Sequence, residues 1–185
     1  SGSSRLFETN KSETKLVNDL VYFSESSIFN NGIKSDYNLM LKNFNAFGNN
    51  SSNFESSLNT KFLTKYIHRT SYPLVKRSKY YNDYLSPKIS FRYSPNGMSK
   101  EINHGIDIGN IFANNRIGTS DTFESGKSLT FGVDYSKENN TNNNKILNVE
   151  LGTIYRFKEE MYLGSDNSMN KKNTDLVGKL EISPI

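Results

Sequence analysis

Residues 84–93 read Tyr84-Leu85-Ser86-Pro87-Lys88-Ile89-Ser90-Phe91-Arg92-Tyr93, an alternation of two unlike sets. Leu85, Pro87, Ile89, Phe91 and Tyr93 share one phase, while Tyr84, Ser86, Lys88, Ser90 and Arg92 share the other. A period of two is the geometry of a β-strand, whose successive side chains point to opposite faces. This stretch therefore predicts a strand with one apolar and one polar, partly charged face. Pro87 has no N–H to give to a ladder, so it marks an edge, a bulge or a distorted pairing.

The same pattern recurs outward from there. In residues 128–136, Leu129, Phe131, Val133 and Tyr135 alternate with Ser128, Thr130, Gly132, Asp134 and Ser136. In residues 146–157, Leu147, Val149, Leu151, Thr153, Tyr155 and Phe157 oppose Ile146, Asn148, Glu150, Gly152, Ile154 and Arg156. Residues 54–66 place Phe54, Leu58, Phe62 and Tyr66 in one phase, and 175–183 do so with Leu176, Gly178, Leu180 and Ile182. Residues 15–23 form a less regular strand. Within 35–47, Tyr37, Leu39 and Leu41 hold one phase, but Phe44 and Ala46 take the other, which predicts a bulge near Lys42-Asn43. Turn signals separate the strands: Asn30-Asn31-Gly32, Gly48 to Asn53, Pro95-Asn96-Gly97, Asn139 to Asn144, and a longer polar loop from Gly164 to Thr174. Residues 98–127 are long and mixed, with room for a short strand at 105–110. The expected fold is an all-β antiparallel meander of long amphipathic strands, with no boundary dividing residues 1–185.

Composition narrows the setting. Only 34% of the 185 residues are apolar, a thin supply for a water-soluble core, yet 11 Tyr and 12 Phe are present. That mix suits a sheet with one apolar face and long polar loops. The better strands have the roughly 9–11 residues that cross a bilayer. Aromatics stand near their ends, as in interfacial girdles. The polar faces carry Lys88, Arg92, Asp134, Glu150 and Arg156, charges that an aqueous or protein-plugged lumen accepts and a packed interior does not. These five are candidate lumen-facing residues of a large transmembrane β-barrel. A soluble all-β binding or adhesion module, with its charges on a solvated face, and a general porin-like barrel remain the alternatives.

Other function classes find little support. The net charge of +4 is scattered, without a recognition helix or an arginine-rich arm, so nucleic acid is not an expected partner. The densest basic run, Lys76-Arg77-Ser78-Lys79, suits anionic lipid head groups or a solvated loop. There is no cysteine, and His68 and His104 stand alone, so neither a metal site nor a cofactor is expected. No nucleophile stands with a base, and an enzyme is not expected. Arg116, Asp121 and Glu124 form the most notable group. They either shape a path through the barrel or pair to pack a loop against its wall.

Three elements stand in order along the chain. The first is Ser71-Tyr72-Pro73-Leu74-Val75-Lys76-Arg77, followed by Leu85 to Pro95. The second is Asn110-Ile111-Phe112-Ala113-Asn114-Asn115-Arg116, followed by Asp121-Thr122-Phe123-Glu124-Ser125-Gly126. The third is Leu151 to Phe157, followed by Lys171 to Leu180. Together they resemble the LptD family of lipopolysaccharide-assembly proteins. The matching positions of the second element are Asn110, Phe112, Arg116, Asp121, Glu124 and Gly126. Ser86 stands where the family commonly has Glu, and Thr153 where it usually has Gln.

The resemblance covers about residues 70–184 and implies a partial outer-membrane barrel domain. It further implies lipopolysaccharide as cargo, outer-membrane lipid as surroundings, an LptE-like lipoprotein plug, and periplasmic bridge components that deliver cargo through an N-terminal domain not seen in this stretch. On this reading the chain is an internal fragment holding wall strands, with its signal peptide upstream.

Overall fold

The computed structural model describes residues 2–6, 10–52, 54–98, 101–119, 121–142 and 144–183. Ten strands form one sheet: β1 (Gly2–Leu6), β2 (Lys11–Phe23), β3 (Ser27–Ile28), β4 (Lys34–Asn49), β5 (Asn59–Ser71), β6 (Leu74–Arg77), β7 (Tyr81–Ser94), β8 (Gly126–Asn139), β9 (Lys145–Arg156) and β10 (Val177–Ile182). The spatial order is β1-β2-β4-β5-β7-β8-β9-β10, and every pairing is antiparallel. β3 adds to β4 and β6 adds to β7. The fold is the expected meander, all-β, and consistent with part of a barrel wall.

Three details depart from the sequence expectation. No bulge interrupts β4, because its register runs unbroken from Lys34↔Ser71 to Ala46↔Asn59. Asn43 and Asn45 hold the phase of Leu41, and Phe44 and Ala46 belong to the opposite face. Phe44 is buried there because the β4–β5 loop brings Phe54 over it, with ring centroids 6.4 Å apart. Residues 54–58 are thus loop, and the strand begins at Asn59. Gly48 makes the fold-over possible, since a Cβ there would meet the Phe54 carbonyl oxygen at 2.7 Å. Pro87 does not create a bulge either. β5 and β6 face β7 in one continuous register, broken only at Tyr72-Pro73, and the Pro87 carbonyl accepts the Tyr72 N–H at 2.9 Å.

The two faces of the sheet are inverted relative to a water-soluble protein. Leu20, Leu39, Leu41, Phe62, Leu85, Phe131 and Leu180 are exposed, Phe62 at 72%, on the face that no loop covers. The opposite face buries Lys42, Lys65, Arg92, Ser128, Thr130 and Arg156. Water would favour the reverse, whereas a bilayer outside a polar lumen favours this arrangement.

The apolar belt also runs obliquely. Tyr22, Leu39, Tyr66 and Tyr93 stand level across β2, β4, β5 and β7. Tyr22 ends the apolar run of β2 at one side of the belt, while Tyr93 ends that of β7 at the other. The belt thus slides by about two residues per strand step. With ~3.3 Å per residue and ~4.8 Å between strands, that is an inclination of roughly 50°, close to the ~45° tilt of membrane-crossing strands. Rings of Tyr22, Tyr37, Tyr66 and Phe91 run nearly level across the four strands within it, with neighbouring centroids 5.9, 6.2 and 6.5 Å apart.

Candidate functional site

The connections β7–β8 and β9–β10 leave the same end of the sheet, and both fold back over its polar face. Their apolar residues, which show no strand or helix period, converge there. Met98, Ile102, Ile106, Ile111, Ile117, Leu163 and Met169 form one buried cluster with Ile154 of β9 and Val177 of β10. Backbone bonds knit the two loops: Ile102 N–H to the Tyr162 carbonyl at 2.8 Å, and Gly164 N–H to the Ile102 carbonyl at 2.9 Å. The short strand expected at 105–110 is instead a series of turns. Asn110 closes one of them, accepting from Asp107 N–H at 3.0 Å and donating its own N–H to the Asp107 carboxylate at 2.9 Å.

Two glycines on the polar face make room for the loop. Gly132 of β8 and Gly152 of β9 are register partners. A Cβ on Gly132 would lie 2.7 Å from the Phe112 ring, and one on Gly152 would lie 3.0 Å from Ile111 Cδ1. The missing side chains leave a recess that seats Ile111 and Phe112. Gly126 serves differently: its φ of +82° turns the loop into β8, a backbone state that L side chains resist.

The charged group lies beside this recess. Arg116 donates Nε to Glu124 Oε2 at 2.6 Å and Nη2 to Oε1 at 2.5 Å, a two-point pair. It also donates to Thr130 Oγ1 and Ser128 Oγ, both at 2.9 Å, which ties the loop to β8. Arg156 joins from β9, donating Nη2 to Glu124 Oε1 and Nε to the Met169 carbonyl, the latter at 2.9 Å. All three side chains are essentially out of contact with solvent. Burial by itself would raise the Glu124 pKa. The guanidiniums of Arg116, Arg156 and Arg92 outweigh it and hold the carboxyl well below the usual carboxylate range.

A second set of cations pins the loop through its backbone. Arg92 of β7 donates to the Asn114 carbonyl at 2.9 Å and the Ala113 carbonyl at 2.6 Å. Lys65 of β5 also donates to the Asn114 carbonyl and stands 4.2 Å over the Phe123 ring. Arg69 donates to the Asn114 side chain. Lys88 bonds to Asp134 at 2.7 Å and lies 4.5 Å over Phe112.

The five residues expected to face a lumen, Lys88, Arg92, Asp134, Glu150 and Arg156, thus all lie on the loop-covered face. Arg92 and Arg156 are buried under the loops, Lys88 and Asp134 pair at their margin, and half-buried Glu150 accepts from Asn148 at 2.8 Å. Of the loop-motif residues, Arg116 and Glu124 come together. Asp121 is half-buried in the same loop, but Arg116 directs its three nitrogens to Glu124, Ser128 and Thr130. Lys65, Arg69 and Asn114 were not singled out by sequence. The pair of glycines in otherwise full strands was the one available signal for the recess. His68 lies in β5 beside the Ser35 hydroxyl at 2.7 Å, and His104 lies in the loop against Gly118.

Among the described residues, the charged groups of this cluster are engaged in holding a loop against the sheet. No curated protein matches the chain. A family model described as LptD, LPS transport system D, matches residues 11–185. The chain therefore belongs to the LptD family, whose members serve lipopolysaccharide transport and assembly at the outer membrane.

Proposed function

We propose that this sheet is a stretch of the wall of an outer-membrane translocon that assembles lipopolysaccharide at the cell surface. Its apolar face meets lipid, its loop-covered face looks into the lumen, and residues 1–185 belong to one barrel domain. The observation that carries this reading is the inversion of the faces, together with an apolar belt inclined as membrane-crossing strands are. The β7–β8 loop then folds into the lumen and narrows it beside the cargo's route, through Arg116, Glu124 and Arg156. Asn110, Phe112, Asp121 and Gly126 serve that loop's shape. The polar strip beyond the loops, including Asp134 and Glu150, supplies a surface for a lipoprotein plug of the LptE kind. Periplasmic bridge components are the source of cargo. No covalent chemistry is involved.

The test uses the protein that contains this chain, reconstituted in bilayers. Spin labels at Leu129 and Phe131 are expected to be relaxed by oxygen, and labels at Asp134 and Ser136 by an aqueous reagent. Water access at all four positions would overturn the barrel. In cells depleted of the protein, newly made lipopolysaccharide is expected to stop reaching the surface. Undiminished arrival would overturn the transport role even with the barrel intact.

A further inference from the structure

The β6–β7 hairpin and the adjoining end of β8 extend past the apolar belt at the sheet end opposite the long loops. The last outward apolar residues there are Leu85 and Tyr135, which are register partners. One step beyond, Lys76, Asp83 and Lys137 align across β6, β7 and β8. Asp83 is occupied by the Tyr135 hydroxyl, which donates to it at 2.7 Å. Among the described residues, no carboxylate forms an ion pair with Lys76, Lys79 or Lys137. Lys79 instead stands 5.2 Å over the Tyr80 ring, and Lys137 stands 4.8 Å over Tyr81. Lys76, Lys79 and Tyr80 are exposed.

Cations without carboxylate partners, at the margin of an apolar belt and beside tyrosine rings, suit the phosphate-bearing layer of a bilayer. Tyr rings settle at that depth, and each Lys near an anionic surface adds attraction. The Lys76–Lys137 row lies about 7 Å along the strands beyond the belt's edge, which at a tilt of ~45° is about 5 Å in depth, within reach of a lysine stem. We propose that Lys76, Lys79 and Lys137, with Tyr80 and Tyr81, form a binding site for the phosphate of an anionic glycerophospholipid in the leaflet at this end of the wall. This rests on the membrane-spanning reading above. It assigns the hairpin a lipid preference that lipopolysaccharide transport does not require.

The test reconstitutes the protein containing this chain in phosphatidylethanolamine vesicles, with a donor dye on Ser78→Cys in the turn. Trace acceptor dye is carried either by phosphatidylglycerol or by phosphatidylethanolamine. Energy transfer to labelled phosphatidylglycerol is expected to indicate at least about threefold local enrichment, lost in the Lys76→Gln/Lys79→Gln/Lys137→Gln variant. Equal transfer to both lipids in the unsubstituted chain overturns the proposal, as does a preference that survives the triple substitution. Inorganic phosphate is added against sodium chloride of equal ionic strength. Enrichment of labelled phosphatidylglycerol that neither salt alters would show that charge does not hold the lipid and would overturn the phosphate assignment. A spin label at Phe131 in the same vesicles separates the two readings. Oxygen access there without lipid preference sinks only the rim site, whereas water access there sinks the spanning sheet itself.

Discussion

Arg116 and Arg156 share one carboxylate oxygen, Oε1 of Glu124, so a single buried anion joins the β7–β8 loop to β9. Neither arginine has any other carboxylate ion pair among the described residues. Removing Glu124 would leave two buried guanidiniums without their counter-charge. Breaking a buried ion pair from one side costs roughly 3–5 kcal/mol. Glu124→Ala is therefore expected to lower the unfolding midpoint in detergent or bilayer by that order. Arg116→Ala should do nearly the same, and the double variant should fall well short of the sum. Additive losses would mean that the two side chains do not act as one unit.

Acid should reach the same joint. The Glu124 carboxyl is held below its ordinary value of 4.5. A folded-state pKa below the unfolded one stabilises at pH above the unfolded value, and that contribution is lost as pH falls toward the folded one. Stability is expected to be flat through neutral pH and to decline below about pH 4.5. Unfolding midpoints measured from pH 7 to pH 2 check this. Glu124→Gln should start lower at pH 7 and lose less on acidification. An identical acid slope in both forms would exclude Glu124 as the titrating group.

The strands and their faces were largely legible in the sequence because period two is a local property. Leu85 to Tyr93 and Leu129 to Tyr135 needed no tertiary knowledge to be placed on one side. The loops were not legible for the opposite reason. Ile102, Ile106, Ile111 and Ile117 follow no period, and the seat of Ile111 depends on a recess formed by Gly132 and Gly152 on distant strands. Phe44 misled for a similar reason: it obeys the strand phase, and its inward apolar side chain is matched by Phe54 from the next loop. The Arg116–Glu124 pairing lay within a visible cluster. Asp121 was an equal candidate on spacing alone, and only the arrival of Arg156 from β9 singles out Glu124.

The glycine recess makes a separable prediction. Gly132→Leu would drive a side chain into the place of the Phe112 ring and toward the Leu151 carbonyl oxygen, which already lies 3.0 Å from an ideal Cβ. Overpacking of this kind costs about 1–3 kcal/mol, and the flexible partner here is the loop rather than the sheet. The loop between Ser94 and Gly126 is expected to become sensitive to added protease while the strands remain intact. Phe112→Ala should restore part of the protection in the Gly132→Leu background. Unchanged resistance in Gly132→Leu would show that the loop is not seated by this recess.

The outward face supplies the last prediction. Phe131 lies near the middle of the apolar belt of β8, exposed and flanked on the same face by Leu129 and Val133. A lysine there would place its ammonium in hydrocarbon, too far from either surface to reach water easily. Charged residues at the midplane of a barrel wall cost roughly 2–4 kcal/mol, falling toward zero near the interfaces. Phe131→Lys is expected to lower the unfolding midpoint in bilayers by that order. Tyr93→Lys, at the margin of the belt beside Lys127, should lose far less. Ser136→Lys, on the polar face of the same strand as Phe131, should be close to neutral. If instead Phe131→Lys were as well tolerated as Ser136→Lys in bilayers, the exposed apolar face would not be a lipid face, and the wall of the barrel would have to be sought elsewhere on the sheet.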